Sequence, residues 1–215
     1  EDPLPTLGDY SSASISLSGE YELGRLWLAM YRGSTKEHSD PLMRTYLEDL
    51  IYRLSETSEV RDRRFEFIIL EDKTINAFAA PGGIIGINLG MFLNTEREGE
   101  LASVMCHELA HLSQRHYARS QNRSSPLANA LMILGSIAVA AASRNPEAIM
   151  IAPAAMQQMS ISYTRSNEKE ADRIGFNNLV KAGFDPNDMS MMFQKMQDKY
   201  QNEDSEQFSY LMTHP

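Results

Sequence analysis

Apolar residues recur at helical spacing over most of this chain, and one short central stretch breaks the rule. Leu23, Leu26, Trp27 and Met30 predict a helix from about Gly19 to Arg32. Leu42, Tyr46, Leu50 and Leu54 predict a second, opened by the cap and first-turn proline Asp40-Pro41 and running to about Ser55. The text then turns aromatic and β-branched from Arg64 to Leu70, which reads as a strand. Ile75–Ala79 and Ile84–Asn88 read as two more, separated by Pro81-Gly82-Gly83. Three short strands with tight turns predict a small, mostly antiparallel sheet, with the proline beside an edge. That edge is either covered by a loop or used to pair with an extended peptide.

Helical spacing returns near Asn94-Thr95, where Thr95 and Glu98 have capping-box spacing. Leu101, Val104, Met105 and Leu112 give this helix an apolar side, to about Gln121. Residues 127–160 hold two Ala- and Met-rich apolar segments, read either as core helices or as a lid or peripheral membrane contact. Their longest run, Leu127 to Ala142, is shorter than the ~20 residues a bilayer span requires. A further helix through Ser166–Phe176 ends at Gly183, and Asp185-Pro186 opens the last one, with Met189, Met192, Phe193 and Met196 as its core stripe. Residues 1–16 have little periodicity and read as an extended arm before one domain, 17–215. The fold class expected is α+β, mainly helical.

The chain's 215 residues are enough for one sizeable core. Its net charge of −9, without a Lys/Arg cluster, excludes nucleic acid as a partner class. A single cysteine, Cys106, excludes an internal disulfide framework and reads as a small buried residue. The opening Glu-Asp-Pro-Leu-Pro lacks an initiator Met, as after removal of a secretory signal or after trimming.

The chemistry gathers at His107-Glu108-Leu109-Ala110-His111. On a helix the two histidines lie about 40° apart in projection, so both can reach one Zn²⁺. Glu108 can then reach a water on the metal's open side. His116 falls about 180° from His107 on a straight helix, which predicts a surface or locally bonded residue. The third ligand must come from elsewhere. On the helix through Ser166–Phe176, Glu168, Ala171, Asp172, Gly175 and Leu179 share one face, while Glu170 lies about 200° from Glu168, toward solvent. A carboxylate on a small, apolar face is costly unless it meets a positive charge, so Glu168 is the expected third ligand. Asp172, one turn on, can orient a ligand histidine, and Gly175 permits close helix approach.

Taken together, Asn76-Ala77-Phe78-Ala79 with Pro81-Gly82-Gly83, His107-Glu108-x-x-His111 and Glu168-x-x-x-Asp172 resemble metallopeptidase family forty-eight, a gluzincin family. The resemblance runs from about residue 18 to the end and favours the family's periplasmic branch. It implies a zincin-like metalloprotease domain with one Zn²⁺ per chain, held by His107, His111 and Glu168. Glu108 would be the catalytic base, Asp172 a support for a ligand, and the stretch Asn76–Gly83 the substrate-binding edge. Substrates would be misfolded or misassembled envelope proteins, and the outer-membrane β-barrel assembly machinery a partner of an otherwise monomeric enzyme. In that branch a Thr-His-Pro recurs, implying that His214 is a fourth ligand that keeps the enzyme off until it moves. Relatives usually continue into tetratricopeptide repeats, and a family arginine lies downstream of this chain's end. The rival expectation is a chaperone-like envelope module in which His214 permanently closes a structural four-ligand zinc site.

Overall fold

The computed structural model describes residues 16–121 and 163–202. Seven helices and three strands follow in order: α1 (Leu17–Ser34), α2 (Pro41–Glu56), β1 (Glu66–Leu70), β2 (Ala77–Ala80), β3 (Ile84–Asn88), α3 (Leu89–Asn94), α4 (Glu98–Ser113), α5 (His116–Gln121), α6 (Arg165–Lys181) and α7 (Asn187–Asn202). The extended arm, except Ser16, and segment 127–160 lie outside the described residues. Ser16 caps α1 by accepting from Gly19 N at 3.0 Å, and Asp40 caps α2 through Leu42 N and Met43 N.

The sheet has the order β1-β3-β2 and is mixed. Its β2–β3 pair is the antiparallel hairpin that Pro81-Gly82-Gly83 promised, but β1 runs parallel to β3. Both faces are covered, which explains the apolar runs. Phe67, Ile69, Ala77, Ile85 and Ile87 turn toward a core with α2, α4 and α7. Ile68, Leu70, Ala80 and Ile84 turn the other way, onto Trp27 and Leu28 of α1.

Two helical stripes differ from the expected ones by a fraction of a turn. In α1 the inward residues are Gly24, Trp27 and Leu28, and Leu26 faces out. In α2 they are Leu47, Leu50, Ile51 and Leu54, leaving Leu42 at 82% exposure. Gly24 is where α1 rests on the β2–β3 turn: a Cβ there would stand 2.1 Å from the Pro81 carbonyl oxygen. Gly82 and Gly83 hold that turn at φ +78° and +77°, where a side chain is strained. Arg25 clamps it, donating to the Gly82 carbonyl at 2.8 Å.

Candidate metal centre

α4 is buried at every position from Gly99 to His111, because it lies among the sheet, α2, α6 and α7. The expected Thr95–Glu98 capping box does not form. Thr95 Oγ1 instead donates to Phe92 O, and the Glu100 carboxylate accepts from Glu96 N at 2.8 Å. α6 starts behind Thr164, whose hydroxyl accepts from Asn167 N, and crosses α4 at Gly175. A Cβ on Gly175 would sit 3.0 Å from both Cα and N of His107. That near-contact of backbones brings Glu168 over the two histidines.

His107 Nε2 and His111 Nε2 face each other at 2.9 Å. Glu168 reaches both, with Oε2 3.2 Å from His107 Nε2 and Oε1 3.5 Å from His111 Nε2. One donor atom from each residue fits within 4.8 Å of the others. All three side chains are buried. Two imidazole nitrogens and a carboxylate oxygen are a donor set suited to Zn²⁺. The local field agrees: burial disfavours a charged His107, yet bonds from Asp172 and Glu168, with Glu108 nearby, hold its pKa up at about 9. The cage therefore favours positive charge at its centre, and the residues present fit a divalent cation.

Glu108 follows His107 and is fully buried. Asp172 Oδ1 meets His107 Nδ1 at 2.9 Å, so that ring donates outward and turns the Nε2 lone pair to the centre. Cys106, also buried, accepts from Asn178 Nδ2 at 3.5 Å, and burial pushes its thiol up to about 12. It is structural, as expected.

His116 and Glu170 overturn the straight-helix expectation. α4 stops at Ser113, and Arg115 takes a left-handed φ of +51° before α5 begins at His116. The reversal swings His116 back against the site, where it is fully buried with Nδ1 2.8 Å from His111 Nδ1. Its Nε2 lies 3.1 Å from Glu170 Oε2, which also accepts from Arg119 at 3.0 Å. Glu170 is thus turned to α5 rather than to solvent. Arg115 itself is anchored by Glu20 of α1 at 2.9 Å, both buried. No residue type at 114 or 115 signals this break; a non-glycine left-handed residue is uncommon.

Tyr163, just before the α6 cap, carried no sequence signal either. Its ring stacks on His111, centroids 3.9 Å apart and planes at 18°, and its hydroxyl donates to the Ala79 carbonyl at 3.3 Å. The Asn76 carbonyl accepts from Asn88 N, so the alternation of an antiparallel pair turns 78 and 80 toward β3. Ala77 and Ala79 then present their backbone groups at the outer edge. Ala79, Pro81, Gly82 and Gly83 line one cleft with His111 and Tyr163. Asn76, Ala77 and Phe78 do not line it; Phe78 packs edge-on against Trp27 and Tyr31 instead. His214 lies outside the described residues.

Comparison with known proteins matches residues 41–215 to the model of peptidase family M48. A beta-barrel assembly-enhancing protease of Escherichia coli is 38% identical over 223 residues, covering 100% of this chain and 45% of its own. A Vibrio cholerae protein bearing that name provisionally is 40% identical over 217 residues, 99% of this chain and 44% of its own. Mitochondrial metalloendopeptidase OMA1 of Schizosaccharomyces pombe is 27% identical over 191 residues, 86% of this chain and 55% of its own. The chain therefore spans less than half the length of the two bacterial relatives. With the family model covering most of its residues and the histidine–carboxylate cage in place, the chain belongs to peptidase family M48.

Proposed function

We propose that this chain is the peptidase domain of a zinc endopeptidase acting on misfolded or misassembled envelope proteins in the periplasm. The observation that carries the reading is the convergence of His107, His111 and Glu168 beside buried Glu108, with His111 lining a cleft shared with Ala79 of the edge strand. The names of the bacterial relatives supply the link to outer-membrane barrel assembly, and with it a partner in the assembly machinery. No described helix is long and apolar enough to cross a membrane.

His107, His111 and Glu168 would hold the zinc. When bound, zinc supplies Lewis-acid polarisation of the scissile carbonyl and a lowered water pKa. Glu108 takes the proton of the attacking water and hands it to the leaving amine. Asp172 keeps the Nε2 lone pair of His107 aimed at the centre. The outer edge of β2 receives the substrate as an added strand, through the backbone of Ala77 and Ala79.

The test is casein cleavage with zinc stoichiometry measured on the same samples. Glu108→Gln should bind one zinc and lose cleavage by about 10²–10⁴-fold, the usual share of a general base. The reading also includes His214 as an inhibitory fourth ligand, so His214→Ala should cleave faster than wild type. A Glu108→Gln protein that cleaves at the wild-type rate sinks the enzyme reading. Bound zinc without cleavage in any variant supports the chaperone-like module.

A further inference from the structure

His116, fully buried, and Glu170, partly buried, are polar groups that the proposed hydrolysis does not use. They form a chain: His111 Nδ1 to His116 Nδ1 at 2.8 Å, His116 Nε2 to Glu170 Oε2 at 3.1 Å, and Glu170 Oε2 to Arg119 at 3.0 Å. The proton order along it is constrained. If His111 Nε2 holds the metal, its Nδ1 carries the proton and donates, so His116 Nδ1 must accept. A neutral His116 then carries its one proton on Nε2 and donates to Glu170, which Arg119 holds as an anion. Only one arrangement satisfies every atom.

We infer that His116 and Glu170 are positioning residues for His111, a two-step counterpart of the single Asp172 carboxylate behind His107. The inference rests on the metal-site reading above and adds what fixes the tautomer and ring angle of the second histidine. The carboxylate reaches His111 only through an imidazole because α5 starts after the left-handed turn at Arg115 and brings His116 between them. A ring inserted there also packs edge-on against His111, centroids 4.9 Å apart, while Tyr163 covers another face. His111 is thus held on both sides and has one direction left for Nε2.

The experiment is zinc affinity, measured by competition with a chromogenic chelator on the full chain. Removal of such supports typically costs 10–100-fold in metal affinity. His116→Phe, which keeps a ring but removes the acceptor, should weaken zinc binding by roughly that 10–100-fold. His116→Gln, which restores an acceptor, should recover part of it. Glu170→Ala should weaken binding less, and the double variant His116→Phe/Glu170→Ala should be no weaker than His116→Phe alone, since Glu170 acts through His116. Denaturant unfolding of the metal-free proteins separates a merely structural role. A His116→Phe protein with lowered metal-free stability but a zinc Kd within twofold of wild type overturns the inference. Additive losses in the double variant overturn it too. Should His116→Phe fail to fold, Glu170→Ala decides alone: an unchanged Kd refutes the relay. A wild-type chain that binds no zinc refutes the metal-site reading itself, a separate result.

Discussion

The two histidines of the cage sit four residues apart on one helix, yet their surroundings are built in different ways. Among the described residues, the carboxylates around His107 come from α6: Gly175 lets the helix in, Glu168 faces Nε2 and Asp172 backs Nδ1. His111 is served by pieces from several elements, namely His116 of α5, Glu170 of α6, and Tyr163, which also bonds to β2. The first side uses one regular helix crossing another. The second depends on where a helix breaks. A regular crossing ties a ligand to its support through spacing alone, whereas a break needs a remote residue to hold it. Here that residue is Glu20 of α1, paired with Arg115.

The largest effect should come from breaking that tie. Arg115→Ala strands the buried Glu20 carboxylate, and removing one partner of a buried pair costs about 3–5 kcal/mol. Urea unfolding at pH 7 measures it. The sign with pH follows from Glu20, whose native pKa is already raised by burial despite Arg115. A raised native carboxyl binds its proton more readily folded than unfolded, so stability falls as pH rises through that pKa. The loss in Arg115→Ala should therefore shrink as the pH is lowered toward and through the raised native value. Zinc affinity should fall as well, because His116 is released. A variant with wild-type stability and zinc affinity would show that the break holds itself, and the contrast between the two histidines would lose its cause.

The same contrast accounts for what could be read in advance. Helical angle placed Glu168 and Asp172 on the face that meets α4, and Gly175 marked the close approach, because α6 is unbroken through that region. Angle failed for His116, since it assumes a helix that continues through Gln114-Arg115, and the solvent exposure expected of Glu170 failed because α5, after that break, covers its side of α6. The β1 strand was legible, but its parallel pairing was not: direction depends on the connection through Glu71–Asn76, and apolar runs do not record it. Gly175→Val probes the legible side. Its side chain would press on the His107 backbone, and such overpacking costs typically about 1–3 kcal/mol, a smaller loss than that for Arg115→Ala. Unfolding of the chelator-treated protein checks it. An unchanged midpoint would mean that α6 can back away without penalty, and the crossing would no longer explain the placement of Glu168.

The smallest effect should separate the edge strand from the metal. Tyr163→Phe keeps the ring that stacks on His111 and removes the hydroxyl that donates to the Ala79 carbonyl. That hydrogen bond is worth about 0.5–1.5 kcal/mol in stability. Its loss has a second consequence if an extended peptide pairs with the outer edge of β2. The Ala79 carbonyl accepts from a substrate backbone N–H in that arrangement, and the Tyr163 hydroxyl competes for it. Relieving the competition should lower KM by roughly 2–10-fold, the same 0.5–1.5 kcal/mol expressed as binding, with kcat little changed. Steady-state kinetics on a quenched peptide, with zinc affinity measured alongside, gives the split. A fall in kcat at constant KM would instead assign the hydroxyl to the reacting atoms. A fall in zinc affinity would assign it to His111, and the proposal that substrate pairs with the edge strand would lose its support.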